Sequence, residues 1–167
     1  LISQRAIKRA DIQCSLDCWG PQAEFIRHGL DLNQWHKNFE YLIQHKWLKI
    51  SIHQVISSLS MKTMHDFQQR INAWKKINAR ISQECFTVDG PSYLILHPEI
   101  FGGEFFSDTL ANIVNQYMCA NEYDRVNKDR LTSIVKTQAN SEINVERLKK
   151  LRATLLQFDT RRKTNWR

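Results

Sequence analysis

The segment IQCSLDCWGPQAEFIRHGL, residues 12–30, concentrates side chains whose types and spacing could do chemistry. Cys14 and Cys18 stand four positions apart with an acid between them, which raises the question of a thiolate metal site. Asp17 could accept hydrogen bonds from vicinal hydroxyls or an amino group, and Arg27 could hold a carboxylate in a bidentate pair. A small zwitterionic ligand that bears a ribose would suit Asp17 and Arg27 together.

Each of these residues also has a purely structural interpretation. Cys14 and Cys18 fit small, buried or half-buried side chains of a strand and the loop after it. Asp17 could cap a loop, and Arg27 could pair with Glu24 across one helical turn, a surface pair that adds little stability. The residues alone leave these alternatives open.

Two histidines, His53 and His97, lie at the ends of apolar segments. Without a third ligand at usable spacing they make a poor zinc site, so hydrogen-bonded structural histidines are the favoured interpretation. The sequence contains no Gly-x-Ser-x-Gly, His-Glu-x-x-His or phosphate-loop motif. Hydrolases that depend on those motifs therefore find no support.

Hydrophobic periodicity predicts the elements that must position these side chains. Alternating residues indicate strands at 11–16 and 48–56, and SYLILH at 92–97, which Pro98 ends, is expected to be a third strand. Helical spacing marks residues 31–45, 64–74, 106–117 and 148–158, with Asp31 and Ser60 as N-caps of the first two. Residues 80–91, which contain the turn signal VDGP, are expected to be a break. The polar segment 121–140 is expected to form a short helix and a loop.

Strand–helix–strand–helix–strand predicts a parallel α/β sheet, because each crossover is long enough to carry a helix. Ligands of such sheets gather at the carboxyl ends of the strands. Three loops qualify, and their polar side chains are Ser15, Asp17, Glu24, Arg27, His53, Gln54, Ser57 and Glu99. Three strands leave two open edges, which proteins usually cover or pair. The sheet is therefore expected to be completed by a front half, either upstream residues or another chain.

The composition is that of an ordinary globular protein of 167 residues, with 42% hydrophobic and 25% charged residues. No apolar run approaches the roughly 18–20 residues that span a bilayer, and no secretory signal precedes the first strand. A cytoplasmic protein without membrane partners is predicted, with its four cysteines reduced. The sequence starts at Leu1, so it is expected to be the back part of a longer polypeptide.

The chain carries a formal net charge of +7, and its C-terminal segment DTRRKTNWR is basic. The residues concerned are Arg161, Arg162, Lys163, Trp166 and Arg167. Cations attract phosphates and aromatic rings stack on bases, so nucleic acid is a possible partner of this tail. A charge run is more often a solvated chain end, and the tail is expected to be exposed.

A strand that ends Ser-hydrophobic-Asp, followed by Gly, an acid and aromatic-Ile-Arg-x-Gly, resembles the fourth strand of radical S-adenosylmethionine enzymes. The matching residues are Ser15-Leu16-Asp17, Gly20 and Glu24-Phe25-Ile26-Arg27-His28-Gly29. The helix that follows carries Trp35 and Asn38, and QVISSLSMKTMHDF is similar to the family's fifth strand and the helix after it. The final LQFDTRRKTNWR looks like the closing segment of the subgroup with a twitch-type iron-sulfur domain.

This resemblance implies the back half of a partial parallel (β/α) barrel at residues 1–103, followed by a helical C-terminal extension with a basic tail at 104–167. It implies S-adenosylmethionine and a [4Fe-4S] cluster as cofactors, which generate a 5′-deoxyadenosyl radical for hydrogen abstraction from an unknown substrate. The residues expected to bind S-adenosylmethionine are Ser15, Asp17, Arg27, Gln54 and Ser57.

The cluster motif of the family, Cys-x3-Cys-x2-Cys, is incomplete in this chain. Cys14 and Cys18 reproduce its first spacing, but Pro21 stands where the third thiolate would be. The cluster cysteines are therefore expected upstream of Leu1, and the chain alone is expected to be inactive. The alternative function is a small basic α/β module that binds nucleic acid or a protein partner.

Overall fold

The computed structural model, which describes residues 10–88, 90–91 and 93–164, contains a parallel three-stranded sheet. The strands are β1 (Asp11–Ser15), β2 (Lys49–Ile56) and β3 (Ile81–Thr87), in the order β1-β2-β3. Helices α1 (Pro21–Ile26) and α2 (Leu32–Ile43) connect β1 to β2, and α3 (Met61–Ile77) connects β2 to β3. The predicted alternation of parallel strands and helices is confirmed, and the sheet is not closed into a barrel.

Three further helices follow the sheet, as the sequence predicted for the C-terminal part. They are α4 (Gly103–Gln116), α5 (Glu122–Ala139) and α6 (Val145–Arg162). Leu110 and Ile113 of α4 and Leu131 of α5 form a buried cluster with residues of α3 and β3. Leu151 and Leu155 of α6 pack with Ile100 in a separate cluster. Helix α6 thereby lies beside the turn at 94–100, near the carboxyl end of the sheet.

The two faces of the sheet differ in chemistry. Ile50, Ile52 and Ile81 are fully buried in one cluster with side chains of α2 and α3 such as Phe39 and Phe67. On the opposite face the register aligns Ser15, His53 and Glu84 in one row across the three strands. One face therefore faces the helices, and the other presents polar side chains, which we call the polar face.

The predicted third strand at 92–97 is wrong. Leu94–Leu96 form a single 3₁₀ turn, and the strand lies at 81–87, inside the segment predicted as a break. The hydrophobic pattern missed β3 because this strand contains Gln83, a polar residue that is 0% exposed. Its side-chain amide donates to Gln54 Oε1 at 2.8 Å and to Gln68 Oε1 at 2.9 Å, so burial leaves it paired. A strand whose buried side chains include hydrogen-bonded polar residues lacks the apolar alternation that identifies strands in a sequence.

The segment 121–140 is one continuous helix of 18 residues, not the predicted short helix and loop. Helix α5 begins at its N-cap Asn121, whose side chain accepts from the backbone N–H of Asp124. Asp124, Asn127 and Gln138 are buried along it, whereas Leu131 is the one aliphatic residue among the buried positions of α5. The helix docks largely through polar contacts, which explains why its apolar stripe was too weak to predict its length.

The N-cap of α2 is confirmed. Asp31 Oδ1 accepts from the Gln34 backbone N–H at 2.9 Å, although the Gln34 side chain donates to Asn38 rather than back to Asp31. Ser60 precedes α3 as predicted, but its hydroxyl accepts from the Ser57 backbone N–H at 3.0 Å instead of capping the helix. Among the helices that the structure describes, none is long and apolar enough to cross a bilayer.

Candidate functional site

The carboxylate of Asp17 connects the loop after β1 to the end of β2. Asp17 is 4% exposed, and Arg27 binds it in a fork, with Nε 2.9 Å from Oδ2 and Nη2 3.0 Å from Oδ1. The backbone N–H of Val55 donates to the same Oδ1 at 2.9 Å. Both carboxylate oxygens are thus paired with protein donors. The ordered carboxylate fixes the relative position of two of the loops predicted to bind a ligand.

The sequence between Asp17 and Arg27 turns the chain back onto the sheet. Gly20 has a φ of 75°, a left-handed conformation that glycine adopts without steric cost, and Pro21 begins the short helix α1. Glu24 accepts from the Leu32 backbone N–H at 3.0 Å through Oε1. Arg27 therefore pairs with Asp17, and the alternative pair between Arg27 and Glu24 does not form.

A cavity of about 280 Å³ lies at the carboxyl edge of the sheet, and we call it the rim cavity. Its polar lining comes from Asp17, Arg27, Ser57 and Arg162, and its apolar lining includes Phe25, Leu59, Leu96 and Phe158. Side chains from α1, from the loops after all three strands and from α6 meet there. This mixture of apolar walls and a few charged groups is typical of small-molecule sites.

Of the five predicted site residues, the structure brings three into the rim cavity: Asp17, Arg27 and Ser57. Gln54 is fully buried beneath it, where Nε2 donates to the Asp17 carbonyl oxygen at 2.8 Å and Oε1 accepts from Gln83. Ser15 is exposed on the polar face of β1, beside His53. Ligand contact by these five residues stays a prediction, and Gln54 is placed to support Asp17 rather than to reach into the cavity.

Sequence reasoning missed Arg162 as a site residue. Its Nη1 donates to the Phe25 carbonyl oxygen at 2.8 Å, and its guanidinium carbon lies 4.4 Å from the centre of the Phe158 ring. The predicted exposure of the basic tail holds for Arg161 and Lys163, whereas Arg162 is half-buried in the cavity wall. Trp166 and Arg167 lie outside the described residues. The helical phase of α6 was the available signal, since it places Phe158 and Arg162 on one face.

The polar face carries a second cluster, formed by His53, Glu84 and Tyr123. Glu84 Oε1 accepts a hydrogen bond from the Tyr123 hydroxyl, which raises the pKa of that hydroxyl. His53 Nε2 lies 3.4 Å from Glu84 Oε2, but the two atoms are not aligned for a hydrogen bond. His97 accepts from the Glu99 backbone N–H through Nδ1 at 3.4 Å, so this histidine is hydrogen-bonded as predicted.

The cysteines of the chain do not form a cluster site. No group of three or more His, Cys, Asp or Glu side chains within the described residues could hold a metal ion. Cys18 and Cys85 are fully buried, and burial raises the pKa of the Cys18 thiol to about 11 and that of Cys85 to about 12. A [4Fe-4S] cluster needs several cysteine thiolates close together, so the described residues do not fit one.

We expect the four thiols to react with a disulfide-exchange reagent in an order set by exposure. Cys119 is exposed and should react first at neutral pH; Cys14 is half-buried, has a raised pKa and should follow. Cys18 and Cys85 should react only on unfolding. Timed labelling with mass spectrometry checks this order, and Cys119→Ser should remove the fast phase. Fast labelling of Cys18 in the native protein would contradict the structure.

Comparison with known proteins does not connect this arrangement to any of them. No family model, no curated protein and no solved structure matches the chain.

Proposed function

We propose that the chain is the back half of a radical S-adenosylmethionine partial barrel and binds S-adenosylmethionine at its carboxyl edge. The observation that carries the proposal is the convergence of Asp17, Arg27 and Ser57, three residues of the resemblance, on the rim cavity. In parallel α/β folds this edge is where ligands bind. The residues of the helical extension at 104–167 contribute Phe158 and Arg162 to the same cavity.

The asymmetry of the sheet supports the half-barrel. In a (β/α) barrel, helices cover the outer face of the strands and the inner face encloses the interior. Helices α2 and α3 pack on one face of the sheet here, and the row of Ser15, His53 and Glu84 lies on the other. The polar face would then line the barrel interior. The upstream half of the same polypeptide would close the sheet by pairing with its open edge.

The size of the rim cavity agrees with a shared site. Sites for small molecules usually measure about 300–1,000 Å³, and the rim cavity, at about 280 Å³, would enclose only part of a nucleoside-amino acid ligand. Asp17 would accept from one ribose hydroxyl through the lone pair of Oδ2 that its three protein donors leave free. Arg27 would act on Asp17, holding its carboxylate in place, rather than binding the ligand's carboxylate directly.

The cluster ligands must come from elsewhere, because the described cysteines do not fit them. We expect the reading frame upstream of the codon for Leu1 to encode Cys-x3-Cys-x2-Cys. The complete protein, reconstituted anaerobically, should then show iron-sulfur absorbance and cleave S-adenosylmethionine when it is reduced. A complete reading frame without those three cysteines would overturn the proposal.

We also expect saturable binding of S-adenosylmethionine that depends on Asp17. Asp17→Asn should weaken binding by about tenfold or more, the usual effect of removing one charged hydrogen-bond partner. Equilibrium dialysis measures the affinity, and Asp66→Asn, the same change at an exposed position of α3, is the matched control. Equal affinities of the two variants would remove Asp17 from the site.

A further inference from the structure

Among the described residues that line the rim cavity, one cation has no carboxylate paired with it. Asp17 and Arg27 neutralise each other through their two-bond fork. Arg162 is the other charged residue in the lining, and the ion pairs between described residues include none to Arg162. The described lining of the cavity therefore carries an excess of one positive charge, set in an apolar wall where Coulombic attraction is stronger than in water.

The guanidinium of Arg162 is also held in a fixed orientation. It lies over Phe158 at 4.4 Å and near Phe25 at 6.0 Å, contacts that restrict its rotation. One of its five N–H donors binds the Phe25 carbonyl oxygen at 2.8 Å. The remaining donors can form the planar two-bond fork that matches a carboxylate or phosphate group.

We propose that the rim cavity recognises an oxyanion, a carboxylate or phosphate attached to an apolar or aromatic group, and that Arg162 is the residue that binds it. The apolar part would pack against Leu59, Leu96 and the two phenylalanines, where burial of its surface is favourable. This inference takes the ligand-binding role of the rim cavity from the proposed function and adds the charge class of the ligand. Asp17 and Arg162 then contact different parts of what is bound.

The oxyanion has two possible sources, the reaction's substrate and the methionyl carboxylate of S-adenosylmethionine. Both present the same group to Arg162, and they differ in what accompanies it. S-adenosylmethionine and 5′-methylthioadenosine share the nucleoside, and only S-adenosylmethionine carries the amino acid, with its carboxylate, and a sulfonium charge. A comparison of these two compounds therefore separates the sources.

The test is a set of titrations of the 167-residue chain in which NMR chemical shifts report binding. Benzoate and phenyl phosphate are the probes, and neutral benzamide is their control. We expect the two anions to shift signals of rim-cavity residues and benzamide to bind more weakly. Arg162→Gln should weaken anion binding by about tenfold to a hundredfold, as expected for a charged hydrogen-bond partner. Arg162→Lys, which keeps the charge without the fork, should lie between Arg162→Gln and the unmodified chain.

Arg161→Gln is the matched control, because Arg161 is the exposed neighbour on the same helix and the change removes the same charge. It should leave anion affinity within about twofold. Equal weakening by Arg161→Gln and Arg162→Gln, or equal affinity for benzoate and benzamide, would overturn the proposal. The benzoate–benzamide comparison uses the unmodified chain and so holds even where Arg162→Gln fails to fold.

The same variants assign the source of the anion and keep the two proposals distinct. Loss of S-adenosylmethionine binding in Arg162→Gln, with 5′-methylthioadenosine unaffected, assigns the oxyanion to the methionyl carboxylate. Loss of benzoate binding alone assigns it to the substrate. Arg162-dependent binding of benzoate without any binding of S-adenosylmethionine would retain this inference and reject the proposed function.

Discussion

Replacing Lys75 with methionine is expected to lower the free energy of unfolding by about 3–5 kcal/mol, the range for breaking a buried ion pair. Lys75 Nζ lies 2.8 Å from Asp124 Oδ1, and both side chains are 0% exposed. The same ammonium donates to the Met118 carbonyl oxygen at 2.9 Å and lies 4.6 Å from the centre of the Tyr117 ring. The substitution leaves the buried Asp124 carboxylate and the Met118 carbonyl without their shared donor.

The size of the effect follows from what Asp124 connects. Its carboxylate accepts from the backbone N–H groups of Gln83 in β3, at 3.2 Å, and of Ala120 before α5, at 2.9 Å. With Lys75 from α3, three segments therefore meet at one carboxylate. Loss of the cation places an unpaired negative charge among them, which costs far more in a buried position than at a surface.

Urea unfolding measures this loss, and Lys76→Met is the matched control because Lys76 is the exposed neighbour on the same helix. The double variant Lys75→Met with Asp124→Asn should lose less stability than the two single variants added together, because the second change removes the stranded charge. A loss in Lys75→Met no larger than that in Lys76→Met would show that the pair does not stabilise the fold.

This ion pair also shows why part of the fold escaped prediction. The apolar strand β2 and helices α2 and α3 have clear periodicities, and all three lie where they were expected. Strand β3 and helix α5 are instead tied together through Gln83, Lys75 and Asp124, which are buried polar residues. Hydrophobic patterns assign polar residues to the surface. A strand or helix whose buried polar side chains pair with each other is therefore predicted as a loop.

The sequence predicted which residues near the strand ends belong to the candidate site, but not the contacts between residues that are distant in the sequence. Asp17 and Arg27 belong to one segment of the sequence, and the strand-end rule was enough to place Asp17, Arg27 and Ser57 at the same edge. That Arg27 pairs with Asp17 rather than Glu24 depends on the path of α1, which spacing does not determine. The contact of Arg162 with Phe25 joins residues 137 positions apart in the sequence, and it depends on how α6 packs.

The pair of Asp17 and Arg27 is expected to stabilise the fold as well as the site. Asp17→Asn should cost about 2–3 kcal/mol, since the Asp17 side chain is 5% exposed and loses a two-bond charged partner. Arg27→Met should cost a similar amount, because it leaves the Asp17 carboxylate without its charged partner; the 33% exposure of the Arg27 side chain keeps this cost below that of Lys75→Met.

A double-mutant cycle separates the contribution of the Asp17–Arg27 pair to stability from its contribution to ligand binding. The coupling energy between Asp17→Asn and Arg27→Met should reach about 1–2 kcal/mol in urea unfolding, the range for residues in direct contact. If Asp17 only holds Arg27 in place, ligand affinity should fall equally in both single variants and no further in the double variant. If Asp17 itself contacts the ligand, Asp17→Asn should weaken binding more than Arg27→Met does. A coupling below about 0.5 kcal/mol would mean that the fork adds no stability, and any loss of binding in Asp17→Asn would then reflect the ligand alone.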